Sequence, residues 1–439
     1  MKHLTVGTLL LLLASWLRLR GLEAAQVLGD GIGPWWVAWT GAPWLTPHAP
    51  PFGWLLYLPY AVIVQVSSSL EQALGGLQLL HAAVAPLAAF LAWRLHPSVS
   101  GALLAGLAAA LSPGLIEVGL TGAQVHLAPL WIGLLALSVT VRPRPVLAGV
   151  ALAAAVMNHP LAICAAPLLV LLPRQRRTLL GLGAGALLLA PHLIGLLDRP
   201  MPASGMVDAT VGRALLAAAE EGATGALALL GIAAGLARTE TRPLAAATAA
   251  GLLLLCGLGA GLSYLQPYHL RLLLLPALAG LAALPLPAIL LGVFLRLPPT
   301  PQPVDGSLQV LHTISDAVLT QARWPVLIDH AWLSAQPVAE PAAVMLDLHL
   351  RGVPASALGV GGEVVLIVSA EPRDLRSLSG LQRLSERGGM RRGDAAELAA
   401  MIAPWCEHAM ALGGAWDGLH YLDPQTRLEE VTLWWECAP

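Results

Sequence analysis

Residues 26–60 read QVLGDGIGPWWVAWTGAPWLTPHAPPFGWLLYLPY. The run holds one carboxylate, Asp30, then Trp35, Trp36, Trp39 and Trp44, then His48 ahead of Pro50-Pro51. An apolar segment at 4–22 precedes it, and apolar segments follow it to about residue 297. A lone acid beside amphipathic aromatics, set between apolar segments, is the pattern of a polar loop held at a membrane face. Outward from this loop, the chain reads as a polytopic helical membrane protein with Asp30 in its first external loop.

Composition agrees. Of 439 residues, 56% are hydrophobic and 11% charged, with a mean hydropathy of +0.71. Ordinary soluble domains carry about twice that share of charge. The formal net charge is -2, so no basic footprint argues for nucleic acid. The apolar runs between charges are 4–22, 72–93, 100–116, 124–140, 145–158, 160–173, 178–197, 222–237, 243–262, 268–282 and 284–297. They predict about 11 transmembrane helices, some short of the roughly 20 residues a crossing needs. Residues 4–22 are read as a retained helix rather than a cleaved signal. The run 51–69 contains Pro51, Pro59 and Ser67-Ser68-Ser69. It is expected to be a helix lying along the membrane face, with Trp54, Tyr57 and Tyr60 at headgroup level. Asn158-His159-Pro160 splits two short runs and predicts a helical hairpin turning there. Lys2, Arg94, Arg142, Arg144, Arg174, Arg176, Arg177, Arg238 and Arg242 fall on one side of this topology, which the positive-inside rule makes the cytoplasm.

The domains expected are 1–297, with a first outer loop over 23–71; a proline-rich linker, 298–310; and an extracytoplasmic small α/β domain, 311–439. In the last, WPVLID (324–329), VMLDLHLRG (344–352), VVLIVSA (364–370) and TLWWEC (432–437) read as strands, with helical periodicity over 314–323, 377–387 and 394–411. Cys164 and Cys256 read as core residues. Cys406 and Cys437 are placed where they could pair.

Several local motifs, in order, resemble the GT-C superfamily of membrane glycosyltransferases, the class of protein mannosyltransferases and aminoarabinose transferases. Ser15-Trp16-Leu17-Arg18 closes the first helix and Gly29-Asp30 follows in the loop. His48-Ala49-Pro50-Pro51-Phe52-Gly53-Trp54 opens an aromatic helix. Ser112-Pro113 begins a second loop, Asn158-His159-Pro160 turns a hairpin, and Tyr268-His269-Leu270-Arg271 opens a late helix. The resemblance covers about residues 1–297. It implies transfer of a sugar from a polyprenyl-phosphate donor to a glycan, lipid or protein acceptor, with inversion. Two departures stand out. Gly31 follows Asp30 where the family often has a second acid, and 117–126 carries Glu117 and His126 but no arginine.

Each candidate residue has a functional and a plainer reading. Asp30 is the candidate base toward the acceptor hydroxyl, or the cap of the next helix. Glu117, at the end of an apolar helix, is the second catalytic candidate. His48, His126 and His159 are candidate substrate ligands, and also suit interfacial or capping roles. Arg271, with His269 beside it, is the best cation for a lipid phosphate, the alternative being snorkelling. Trp35 and Trp39 share a helical face suited to a sugar or to an aromatic belt. A divalent metal is compatible with the family, but no metal motif is present. The rival expectation is a catalytically inactive relative that binds a lipid-linked glycan or scaffolds an envelope complex. A transporter is disfavoured because no pair of similar halves is visible.

Overall fold

The computed structural model describes residues 2–25, 33–40, 54–120, 127–141, 143–173, 175–197, 222–262, 267–284, 297–298, 308, 311–312, 315–316, 328–330, 341–353 and 366–368. They are almost entirely helical. By internal contacts the chain divides into two units. One is Met1–Gly21, Thr46–Pro59 and Gly75–Thr300; the other is Leu22–Leu45, Tyr60–Leu74 and Pro301–Pro439.

The first unit is a bundle of apolar helices. α1 (Lys2–Leu19) packs against α5 (Val84–Leu95) and α6 (Val99–Leu111). α2 (Gly33–Thr40) and α3 (Trp54–Val66) fall wholly or partly in the second unit. α4 (Leu70–Ala82) runs into α5 with a break near Ala83, and together they form an apolar helix of 26 residues, Leu70–Leu95. α6 starts where Ser98 accepts from Gly101 N at 3.1 Å. Ser112 ends it and caps α7 (Pro113–Leu120), accepting from Leu115 N. Serine caps and a first-turn proline set both starts. α8 (Ala128–Thr140) and α9 (Pro145–Asn158) follow, then a 3-10 helix, Pro160–Leu171. α10 (Arg176–Leu197), α11 (Gly222–Ala237) and α12 (Arg242–Leu262) complete the outer members. A 3-10 turn, Pro267–Leu273, leads into α13 (Leu274–Ala279) and the 3-10 turn Gly280–Ala283. The core gathers Leu91, Leu104, Ile132, Leu135, Leu168 and Leu275, all fully buried.

Most expected apolar segments are helices, with three differences. The segment expected over 100–116 is two helices broken at Ser112. The second arm of the hairpin is a 3-10 helix, with Pro167 inside it. Proline cannot donate to an α-ladder, and 3-10 runs of this length are uncommon. The residues around 268–282 likewise alternate 3-10 and α turns. Among the described residues one helix, Leu70–Leu95, is long and apolar enough to cross a membrane by length and composition. Shorter apolar helices among them have 10–17 residues.

In the second unit, β1 (Ile328–His330) pairs in parallel with β2 (Leu366–Val368), placing Ile328 opposite Leu366. β2 falls within the expected strand 364–370, and β1 overlaps the end of the expected strand 324–329, running on to His330. Residues 344–352 do not form the expected strand: Pro341–Leu350 is a helix, α14. Leu346, Asp347 and Leu348 are all fully buried, so no face alternates. The helix ends at Gly352, at φ 98°, where Val353 N donates to Leu348 O and Gly352 N to His349 O. That pair of bonds is the Schellman motif, which places glycine in the left-handed region. Asp347 accepts from Leu70 N at 2.9 Å, an anion at the start of α4. Arg351 holds Asp347 at 2.9 Å and Asp316 at 2.5 Å. The expected helices 377–387 and 394–411, the strand 432–437 and Cys406 and Cys437 lie outside the described residues.

Candidate functional site

Pro160 decides the local geometry. A residue before proline is pushed to extended backbone, and His159 stands at φ -157°, ψ 128°. α9 therefore stops at Asn158, whose side-chain amide turns back to Ala154 O. The ring of His159 folds over the start of the next helix, where its Nδ1 accepts from Leu161 N at 3.2 Å. The ring is thus fixed by the break that proline imposes.

His269 comes from the 3-10 turn Pro267–Leu273. Its Nε2 lies 3.2 Å from His159 Nε2, with ring centres 4.5 Å apart and a 43° tilt. Both rings are buried, at 5% exposure for His159 and 0% for His269. Arg271, two residues on, is 8% exposed. Three of the expected substrate ligands thus lie on two elements that meet. A nitrogen that accepts from a backbone N–H carries no hydrogen. In neutral His159 the hydrogen is therefore on Nε2, which donates to His269 Nε2, and His269 carries its hydrogen on Nδ1. That tautomer leaves no lone pair on His159 Nε2 for a metal ion. Among the described residues, no group of three His, Cys, Asp or Glu side chains could hold one. Arg271, on the same 3-10 turn as His269, is a buried guanidinium of the kind suited to an oxyanion.

The other expected residues are dispersed or undescribed. Asp30, His48 and His126 lie outside the described residues. Glu117 is on α7, in the turn before its end; its side chain is not among those described. Trp35 is fully buried, edge-on to Tyr60 at 4.7 Å and 84°. Tyr57 is buried as well, so neither tyrosine sits at an exposed surface. Trp39 is half-buried and stacks on His349 at 4.8 Å. Trp35 and Trp39 hold α2 against Tyr60 and α14, and the face they share is a packing face.

Sequence reading passed over Arg18, Gln78 and His81 as site residues, yet all three are fully buried. The signal was present: a polar or ionisable group inside an apolar run is costly unless it has a task. An apolar groove of about 330 Å³, lined by Val6, Leu11, Pro86, Phe90, Trp93 and Val99, lies elsewhere in the bundle. None of the candidate residues lines it. Against protein-family models, curated proteins and solved structures, the chain matches none.

Proposed function

We propose that the chain is a membrane glycosyltransferase that moves a sugar from a polyprenyl-phosphate donor to an acceptor at the extracytoplasmic face. One observation carries the reading: a buried His159–His269 pair at two helix breaks in an otherwise apolar bundle, with the buried Arg271 two residues beyond His269 on the same turn. Buried polar groups cost free energy unless partnered, and broken helices in apolar surroundings accompany ligand cavities.

In this mechanism Arg271 holds the lipid phosphate through its planar fork. The His159 Nε2–H turns toward the same phosphate as charge builds on the leaving oxygen. Asp30 accepts the proton of the acceptor hydroxyl, whose oxygen attacks the anomeric carbon from the side opposite the phosphate. The carbon–oxygen bond to phosphate breaks with its electron pair, polyprenyl phosphate leaves, and the configuration inverts. Glu117 supports the acceptor side. Membrane residence, with the C-terminal segment outside the cytoplasm, is part of the proposal. Large apolar side chains on the bundle surface support it, among them Val170 at 82% and Leu187 at 77% exposure.

Asp30→Asn tests the proposal. Membranes containing it, expressed to the wild-type level, should lose at least about 100-fold of the transfer rate with polyprenyl-phosphate sugars, the scale of general-base catalysis. Full activity would remove Asp30 as the base. The absence of a second acid at Gly31 favours a second reading, a non-catalytic protein that binds a lipid-linked glycan. Donor binding with no turnover in the wild type would select that reading.

A further inference from the structure

The apolar groove of about 330 Å³ is built where α1, α5 and α6 pack together. Small residues make its floor. Ala89 and Ala102 are buried there, and Gly7 has no side chain to fill the space. A Cβ added to Gly7 would meet its nearest neighbour, Pro86 Cβ, at 4.0 Å, an ordinary van der Waals contact. Leu11, Phe90 and Val99 form an exposed rim. An exposed apolar concavity of this size is at the lower end of ligand pockets. Ten residues line it, against roughly 20–30 a side in a stable protein interface, so it offers too little for a second copy. One hydrocarbon chain needs no such area, since each buried methylene contributes on its own.

One end of the groove is cationic. Trp93 lines it there, and the exposed Arg94 stands one turn beyond Phe90 on the same side of α5. α6 begins at that end as well: Val99, its first residue, lines the groove, and Ser98 caps it by accepting from Gly101 N at 3.1 Å. A helix start favours an anion, and a guanidinium fork fits a phosphate. Tryptophan suits headgroup level. In the topology read from charge, this end faces the cytoplasm, where the leaflet carries anionic lipids.

We infer that the groove binds an anionic phospholipid of the inner leaflet, with one acyl chain along α1, α5 and α6 and its phosphate at Arg94 and the start of α6. The inference rests on the membrane residence proposed above and not on glycosyl transfer.

Membranes containing the full chain are washed with carbonate, and the protein is then purified in dodecyl maltoside. Release without detergent would sink membrane residence before any lipid is added. Palmitoyl-oleoyl phosphatidylglycerol, or the matching phosphatidylcholine, is titrated into the micelles while thermal unfolding is followed. The phosphatidylglycerol should raise the midpoint saturably, as a ligand of the folded state does. The phosphatidylcholine should need about fivefold more, the worth of one arginine at a charged lipid surface. Arg94→Gln should remove most of that preference and leave the ligand-free midpoint in place, because Arg94 is exposed. Gly7→Leu fills the groove and should abolish the response to both lipids. It should not lower the ligand-free midpoint, since leucine favours a helix more than glycine does. The inference is overturned by an unresponsive wild type, by equal responses to the two lipids, by a preference kept in Arg94→Gln or by a full response in Gly7→Leu. It is also overturned if Gly7→Leu unfolds or loses stability, because part of the chain itself would then fill the groove. Conversion of a dimer to a monomer by Gly7→Leu on gel filtration would make a second copy the occupant and overturn it too.

Discussion

His159 carries two tasks on one ring, and they can be separated. Nδ1 caps the 3-10 helix through Leu161 N, while Nε2 faces His269. His159→Ala removes both. Loss of a capping acceptor costs about 0.5–2 kcal/mol, so its unfolding midpoint in detergent should fall. His159→Asn keeps a capping oxygen at nearly the same place and should recover most of that stability. It cannot reach His269 or a phosphate with a ring N–H, so donor binding should stay weakened, by about tenfold for one charge-assisted hydrogen bond. An asparagine variant that restores both stability and donor binding would leave Nε2 without a function. The sequence marked this residue because histidine before proline within an apolar run is conspicuous. It did not mark the pairing. His269 lies 110 positions away, and long-range contacts leave no periodic trace.

At the scale of elements, apolar runs and prolines predicted where helices lie, because burial and the missing N–H of proline act locally. They did not separate α from 3-10 over Pro160–Leu171, which depends on how the neighbours pack. Residues 344–352 were misread for a related reason: Leu346, Asp347 and Leu348 are buried in succession, so the run shows no period of 3.6. Gly352 was the better guide, since a glycine following Leu350 and Arg351 fits a helix end. Close packing between α9 and α10 gives the next prediction. A Cβ added to Gly149 would overlap Gly181 O, and one added to Gly185 would stand 2.6 Å from Gly149 O. Backbone meets backbone there, so neither helix can yield by moving a side chain. Gly149→Ala should therefore destabilise the bundle by about 1–3 kcal/mol, the usual cost of overpacking. At Gly183, on the same helix α10, a Cβ would meet nothing within 4 Å. Gly183→Ala should be neutral or stabilise by up to about 1 kcal/mol through helix propensity alone. Equal effects of the two variants on thermal unfolding would mean that α9 and α10 do not cross at these glycines.

For the whole molecule, the proposed membrane residence carries a definite orientation. Two contacts bear on it. Arg238 Nη1 meets His96 Nε2 at 3.3 Å, bringing the turn before α12 to the end of α5 that carries Arg94. Arg20 donates to Pro298 O, bringing the end of α1 to the close of the last apolar segment. In the topology read from charge, the first pair lies wholly inside and the second wholly outside. Each contact therefore joins residues that the proposed topology assigns to one side. In the proposed membrane, the 3-10 form of Pro160–Leu171 has a consequence for length. At about 2.0 Å per residue, twelve residues reach about 24 Å, against about 18 Å for an α-helix, so a short apolar segment gains reach toward a core of about 30 Å. The orientation can be read directly. In a variant with the four native cysteines replaced by serine, Glu240→Cys should react with a membrane-impermeant maleimide only after the cells are opened. A cysteine appended after Pro439 should react in intact spheroplasts. The reverse pattern would place Asp30 and Arg271 in the cytoplasm, where a donor presented at the outer face could not reach them. The transferase would then have to use a donor at the inner face. Labelling of both cysteines before opening would show that an uneven number of the assigned segments crosses between them.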